Sequence, residues 1–182
     1  MKKCKSCKKP FNARNSLQQV CSPQCALVMV KQQKVKEFKA ETRKRKQALK
    51  GKAEYMKEAQ AAFNAFVRIR DHNLPCISCG RPNDGSHQRH ASHFRSVGAA
   101  SHLRFHLLNV HASCATCNNH LSGNIINYVQ RLPDKIGQKR TDWLLTANFE
   151  RRYSIEYLKR LKAIFAKRKR IYEKIRKTEM NL

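Results

Sequence analysis

Residues 76–120, CISCGRPNDGSHQRHASHFRSVGAASHLRFHLLNVHASCATCNNH, gather most of the side chains able to do chemistry. The stretch opens with Cys76 and Cys79, and near its end come Cys114 and Cys117. Each CxxC pair presents two sulfurs from one tight turn, so two pairs can close a tetrahedral four-thiolate zinc site. Seven of the eight histidines lie in the same stretch: His87, His90, His93, His102, His106, His111 and His120. Chance would place about one or two there, and a four-thiolate metal needs none of them. The spacing therefore reads as a zinc-stapled finger that carries a second, catalytic metal site. A further quartet, Cys4, Cys7, Cys21 and Cys25, stands at the N-terminus. The segment around it is too short to bury a core, so a second structural Zn²⁺ would supply its folding energy.

The partner is indicated by charge. The 182 residues carry 39 Lys and Arg against 12 Asp and Glu, a formal net charge of +27. A compact chain with that excess repels itself unless a polyanion neutralises it, so nucleic acid is the expected partner. The longest apolar run, Ala26 to Val30, is far too short to span a bilayer. The N-terminal MKKCKSCKK has no apolar h-region. With eight cysteines in close pairs, this reads as reduced thiolates on zinc in a cytoplasmic protein rather than a secreted disulfide scaffold.

These residues must be positioned by helices for the most part. Ser22-Pro23 is a helix start, with Ser as N-cap and Pro at the first helical position, so the second cysteine pair would sit on a first turn. Phe11, Leu17 and Val20 would form a minimal apolar cap on that knuckle. A long helix is expected from Ala26 to about Asp71, broken at Gly51. Its first half is basic nearly all round, an arm suited to phosphates through Arg43, Lys44, Arg45 and Lys46. In its second half Tyr55, Ala59, Ala62, Phe63, Phe66 and Ile69 recur at three- and four-residue spacing, an amphipathic stripe with a buried face. Within the finger, residues 90–94 read as a short strand. The chain past Cys117 reads as a helix from about Asn118, interrupted near Gly123 and stopped by Pro133. Residues 134–148 contain a second short amphipathic helix with Trp143, Leu144 and Leu145, and Trp143 is its expected core anchor. Ser154 caps a final helix whose stripe is Ile155, Leu158, Leu161, Phe165, Tyr172 and Ile175. Its other face, including Lys167, Arg168, Lys169 and Arg170, would give a second phosphate-binding wall. The fold class expected is α+β and predominantly helical. Four segments follow: an N-terminal zinc knuckle (1–28), basic and amphipathic helices (29–72), the zinc-bearing finger (73–132) and a C-terminal basic helical region (133–182).

Phosphodiester hydrolysis needs an activated water and a cation to stabilise developing charge. A histidine of near-neutral pKa suits the first task, and His, Asn or Asp ligands that leave open positions suit Mg²⁺ or Mn²⁺ in the second. The chain supplies His93, Asn109, Cys114-x-x-Cys117, Asn118 and His120 in that order. This arrangement resembles the HNH, or ββα-metal, nucleases in the variant whose last histidine is replaced by Asn. More narrowly, ASHFRS, LRF, LLNVHASCATCN and LSGN, together with the Cys-rich basic N-terminus, resemble the NinG, or Rap, recombination proteins of lambdoid phages.

The resemblance implies a structure-specific endonuclease that cuts branched DNA, Holliday junctions and D-loops, during phage recombination in the bacterial host. Other recombination proteins of the phage would be partners, and two symmetric cuts would suit a homodimer. His93 matches the general base, Asn109 the residue that holds the finger loop and orients that histidine, and Asn118 the final metal ligand, with His120 as its alternative. Many HNH enzymes carry an Asp immediately before the first His. Here that residue is Ser92, and His90 is the nearest substitute ligand, although a bulge or bend would be needed to bring His90 and His93 to one face. Arg95 and Arg104 would clamp phosphate. Two other readings stand beside this one: a non-catalytic zinc module that binds DNA or RNA, and a sequence-specific HNH nuclease without an obvious specificity domain.

Overall fold

A computed structural model describes residues 1–179, so the last three residues of the C-terminal basic region lie outside the described residues. The chain divides into two compact units, Met1–Lys50 and a second from Gly51 onward. The 1–28 knuckle and the basic arm fall in the first, and the amphipathic helix, finger and C-terminal region in the second.

In the first unit, β1 (Lys2–Lys3) pairs antiparallel with β2 (Pro10–Phe11). They lead to α1 (Pro23–Ala48), where the Ser22 hydroxyl caps the helix by accepting the Cys25 N–H at 3.2 Å. No residue of α1 is buried, as its all-round basic sequence requires. Leu17, expected in the apolar cap, is exposed. The turn around it is held by polar bonds, with Asn15 Oδ1 accepting the N–H groups of Leu17 and Gln18.

The second unit is built around a two-stranded hairpin. Strand β3 (Arg89–His93) pairs antiparallel with β4 (Val110–Cys114) in a regular register from Arg89 opposite Cys114 to His93 opposite Val110. One face of the hairpin, through Val110 and Ala91, packs on α2 (Lys52–Arg70) and α5 (Ile155–Glu179). That core contains Tyr55, Ala59, Phe63, Phe66 and Val67 from α2 and Leu158, Leu161 and Phe165 from α5. Phe63 meets Phe165 edge-on at 4.8 Å. The other face meets α3 (Ile125–Ile136), where the Tyr128 hydroxyl donates to the Ser92 carbonyl at 3.1 Å. A second core then joins Ile77, Phe94 and Leu103 to Tyr128 and Leu132 of α3 and to Leu144 of α4 (Gln138–Thr146).

The α2–α5 contacts advance together along both helices. Tyr55 lies under Lys159, Glu58 pairs with Lys162, and Phe66 meets Tyr172. The two helices are therefore parallel, and everything from Asp71 to Ser154 is the crossover between them.

Several expectations are corrected. The helix expected from about Asn118 begins as a single wide turn, Thr116–His120, and the interruption expected near Gly123 does occur, as three consecutive residues with positive φ, Ser122, Gly123 and Asn124, before α3 begins. Gly123 is the only one of these that adopts φ near +90° without a Cβ penalty. Pro133 does not stop α3. It removes one backbone hydrogen bond, but Leu132 and Ile136 on either side are buried and Gly137 N–H still donates to the Pro133 carbonyl. Trp143 is 42% exposed, and its neighbour Leu144 is the fully buried anchor. Tyr172 and Ile175 are also exposed, although the Tyr172 ring still meets Phe66 of α2 edge-on.

Candidate metal centres and the candidate active site

Both cysteine quartets form in space. In each, one sulfur from every cysteine lies within 4.8 Å of the others. In a tetrahedral site with Zn–S near 2.3 Å the sulfurs stand about 3.8 Å apart. Here Cys79 and Cys114 are 3.8 Å apart, Cys7 and Cys21 3.6 Å, and Cys21 and Cys25 3.6 Å. All eight cysteines are free thiols. In the finger, backbone N–H groups already point at sulfur, Cys114 N–H at Cys76 Sγ and Cys117 N–H at Cys114 Sγ. Gly80, at φ +75°, turns the first knuckle and donates its N–H to the Cys76 carbonyl. Burial pushes the Cys117 thiol up to about 12, a state that a bound cation would reverse by taking the thiolate. Both quartets can hold zinc.

His93 is the last residue of β3 and is half-buried. Its Nε2 lies 3.0 Å from the Arg104 carbonyl oxygen. An oxygen can only accept, so in the neutral ring Nε2 carries the proton and Nδ1 keeps its lone pair. Burial lowers the His93 pKa, and the bond to the Arg104 carbonyl opposes this only in part. The result is a free-base imidazole of fixed tautomer at neutral pH.

The loop that supplies that carbonyl, residues 94–109, is closed by Asn109. This side chain is fully buried. Its Oδ1 accepts the Arg95 N–H at 2.9 Å, and its Nδ2 donates to the carbonyls of Arg95 at 3.0 Å and Leu103 at 3.3 Å. One amide thus joins the start of the loop, its middle and the start of β4.

Other candidate residues are placed as follows. The regular ladder puts His90 on the opposite face of β3 from His93, so the bulge that would unite them does not occur. Asn118 is half-buried in the wide turn, its Nδ2 donating to Asn119 Oδ1 at 2.9 Å, and His120 at the end of that turn is exposed. Among the described residues, only the two cysteine quartets gather three or more His, Cys, Asp or Glu around one point. A ready-made cage around His93 is therefore not formed by His90, His93 and His120. Arg95, expected to clamp phosphate, directs Nη1 to the carbonyls of Leu144 and Ala147 at the end of α4. Arg104 reaches Gln60 at 3.4 Å. Of the basic runs, Arg43, Lys44, Arg45 and Lys46 are exposed on α1, and Lys167, Arg168 and Arg170 on α5 with Lys169 half-buried. The remaining histidines are structural in their contacts. His102 Nε2 bonds the Ala147 carbonyl, His111 Nε2 the Leu108 carbonyl, His106 lies on Trp143, and His87 stands 3.5 Å from Asp84.

Sequence reasoning missed an ionic cluster behind the finger. The Asp71 carboxylate, just past α2 and 2% exposed, receives Arg70 Nε and Nη2 at 2.8 Å, Lys135 Nζ at 2.9 Å and the Ala112 N–H at 2.9 Å. Burial opposes its ionisation, but the Arg70 and Lys135 charges hold the carboxyl well below its usual range. Arg70 also donates to the Leu107 and Val110 carbonyls and contacts His111 Nδ1. Burial, with Lys135 and Arg70 beside it, pushes His111 down to about 3. The only legible signal was an acid next to an arginine at a helix end, in a chain with few acids.

Geometry of this kind defines a class, a basic protein of mixed helix and sheet with two four-cysteine metal knuckles. The family follows from comparison with known proteins. The family model described as Bacteriophage Lambda NinG protein matches residues 1–177. Protein ninG of Escherichia phage lambda is 37% identical over 182 residues, covering 89% of this chain and 88% of its own. Those of Escherichia phage 933W and Salmonella phage P22 are each 36% identical, with 89% of both chains covered. The chain belongs to the NinG family. No solved structure gives a significant match.

Proposed function

We propose that this protein is a metal-dependent endonuclease of the HNH type that cuts branched DNA intermediates of phage recombination in the host cytoplasm. The observation that carries the reading is the fixed tautomer of His93, with Nε2 tied to the Arg104 carbonyl so that Nδ1 keeps its lone pair. His102 makes the same kind of Nε2 bond to a carbonyl but is buried, whereas His93 is only half-buried and can meet a water, as a general base must. Water approaching a phosphodiester would give its proton to Nδ1 as the oxygen attacks phosphorus. The resulting imidazolium is stabilised by its Nε2–H bond to the carbonyl, which strengthens as the ring becomes charged. Asn109 keeps that carbonyl in place through its own bond to Leu103, the residue before Arg104. Mg²⁺ or Mn²⁺ would stabilise charge on the phosphate and the leaving oxygen. Asn118 and His120 are the proposed protein ligands, with His90 excluded from the His93 face. Such hard ions commonly keep several waters and take few protein ligands.

A second reading is a non-catalytic zinc-stapled DNA or RNA binder, favoured by the lack of a three-ligand His, Asp or Glu cluster beside His93 among the described residues. The test is cleavage of a four-way junction, a D-loop and a linear duplex with Mg²⁺, Mn²⁺ or neither, with zinc content checked throughout. His93→Ala should lower the cutting rate about 10²- to 10⁴-fold with binding intact at fixed salt. Tight binding without cutting under every metal condition would establish the binder instead.

A further inference from the structure

We propose that Trp143 and Phe149 form a stacking platform for unpaired bases of the DNA, so that the protein distinguishes branched or single-stranded DNA from duplex. This rests on the nucleic-acid reading above. Trp143 is the only tryptophan of the chain, yet it is 42% exposed on α4. Its ring is backed by His106 at 5.0 Å between centroids. Phe149 is 40% exposed and is backed in the same way by His102 at 4.5 Å. Both histidines belong to the loop closed by Asn109, and Arg104 of that loop provides the carbonyl that holds His93. The two platform rings thus lean on the same loop that holds the candidate general base.

Charge selects the occupant. Residues 139–152 contain Lys139, Arg140, Arg151 and Arg152 against Asp142 and Glu150. The Arg151 guanidinium lies over the rings of Tyr153 and Tyr157, 6.0 and 5.4 Å from their centroids. Aromatic faces interleaved with cations are the pattern by which single strands are held, through stacking of bases and neutralisation of phosphates. Away from its ends a duplex has every base face already stacked on a neighbour. A fork, a displaced strand or a frayed branch point offers flexible bases with free faces, so the platform senses strand separation rather than sequence.

Because Trp143 is the sole tryptophan, its emission reports on this surface alone. Wild-type protein would be titrated at fixed salt with an end-labelled forked duplex, a single strand and a blunt duplex. Anisotropy of the label gives occupancy in parallel with tryptophan emission. At equal occupancy, the fork and the single strand should quench Trp143 and the blunt duplex should not. Trp143→Ala should weaken fork binding about 5- to 150-fold and leave duplex binding unchanged, while Trp143→Phe keeps most of the affinity. Emission that is unchanged at saturation, or changed equally by duplex, would overturn the proposal while leaving DNA binding standing. Absence of any anisotropy change would remove the nucleic-acid reading and the platform together. The wild-type titration decides the matter even where the alanine variant fails to fold.

Discussion

Replacing Asn109 by Ala removes one side chain and leaves two part-buried backbone groups, the Arg95 N–H and the Arg95 carbonyl, without the partners they have in the fold. The Leu103 carbonyl loses its 3.3 Å bond but keeps the His106 N–H at 3.0 Å. At about 1–3 kcal/mol for each orphaned group, and toward the lower end because Arg95 is not fully buried, the expected loss is about 2–4 kcal/mol. That is a large share of the about 5–15 kcal/mol available to a domain. Urea unfolding of zinc-loaded protein would measure it, with Trp143 as probe because its ring lies on His106 of the same loop. Proteolysis within 94–109 should accelerate in parallel, and cutting should fall as the Arg104 carbonyl leaves His93. Asn109→Asp adds a check of sign. The new carboxyl can still accept the Arg95 N–H, but only its protonated form can donate to the facing carbonyls. Its pKa in the folded state is therefore raised, so the variant holds its stability below the unfolded pKa of about 4 and loses it as pH rises through the folded value. A loss below about 1 kcal/mol in Asn109→Ala, or an Asn109→Asp variant indifferent to pH, would refute the argument that this amide closes the loop.

Three further outcomes are expected. Asp71→Asn should cost about 3–5 kcal/mol in the same urea assay, since it strands the Arg70 and Lys135 charges where they are already desolvated. His111 is held neutral in the fold, down to about 3, so the unfolded chain binds its proton first on acidification. Stability should then fall by up to about 1.4 kcal/mol per pH unit below about 6.5 on account of this ring, and His111→Gln should show a correspondingly shallower pH slope. Purified protein should contain two zinc ions per chain by atomic absorption. Cys4→Ser should lower this to one without shifting the Trp143 unfolding transition, because the quartets belong to separate compact units.

Features set by a few neighbouring residues were legible in the sequence. The cysteine pairs, the Ser22-Pro23 and Ser154 helix starts, the break at Gly51 and the buried stripe of α2 each depend on chemistry within a turn or two. The misreadings arose where distant contacts decide. Pro133 sits inside a helix because Leu132 and Ile136 are buried on either side of it, and Trp143 lies outside because Leu144 takes the core position. For the candidate site, chain order named His93 and Asn109. The tautomer of His93, however, depends on a carbonyl brought back by the loop, and the Asp71 cluster on a lysine from α3. Neither leaves a local pattern.

The parallel pairing of α2 and α5 has a consequence for how the chain is made. Glu58 and Lys162, partners across that pair, are 104 residues apart in sequence. During synthesis α2 emerges with Phe63 and Phe66 uncovered, and their cover, Phe165, arrives only after the whole finger. The knuckle pairs Cys76/Cys79 and Cys114/Cys117 are complete well before that, so metal capture can precede closure of the aromatic core. A nascent chain starved of zinc would then display an apolar helix face with no partner, which is the kind of surface that chaperones and proteases engage.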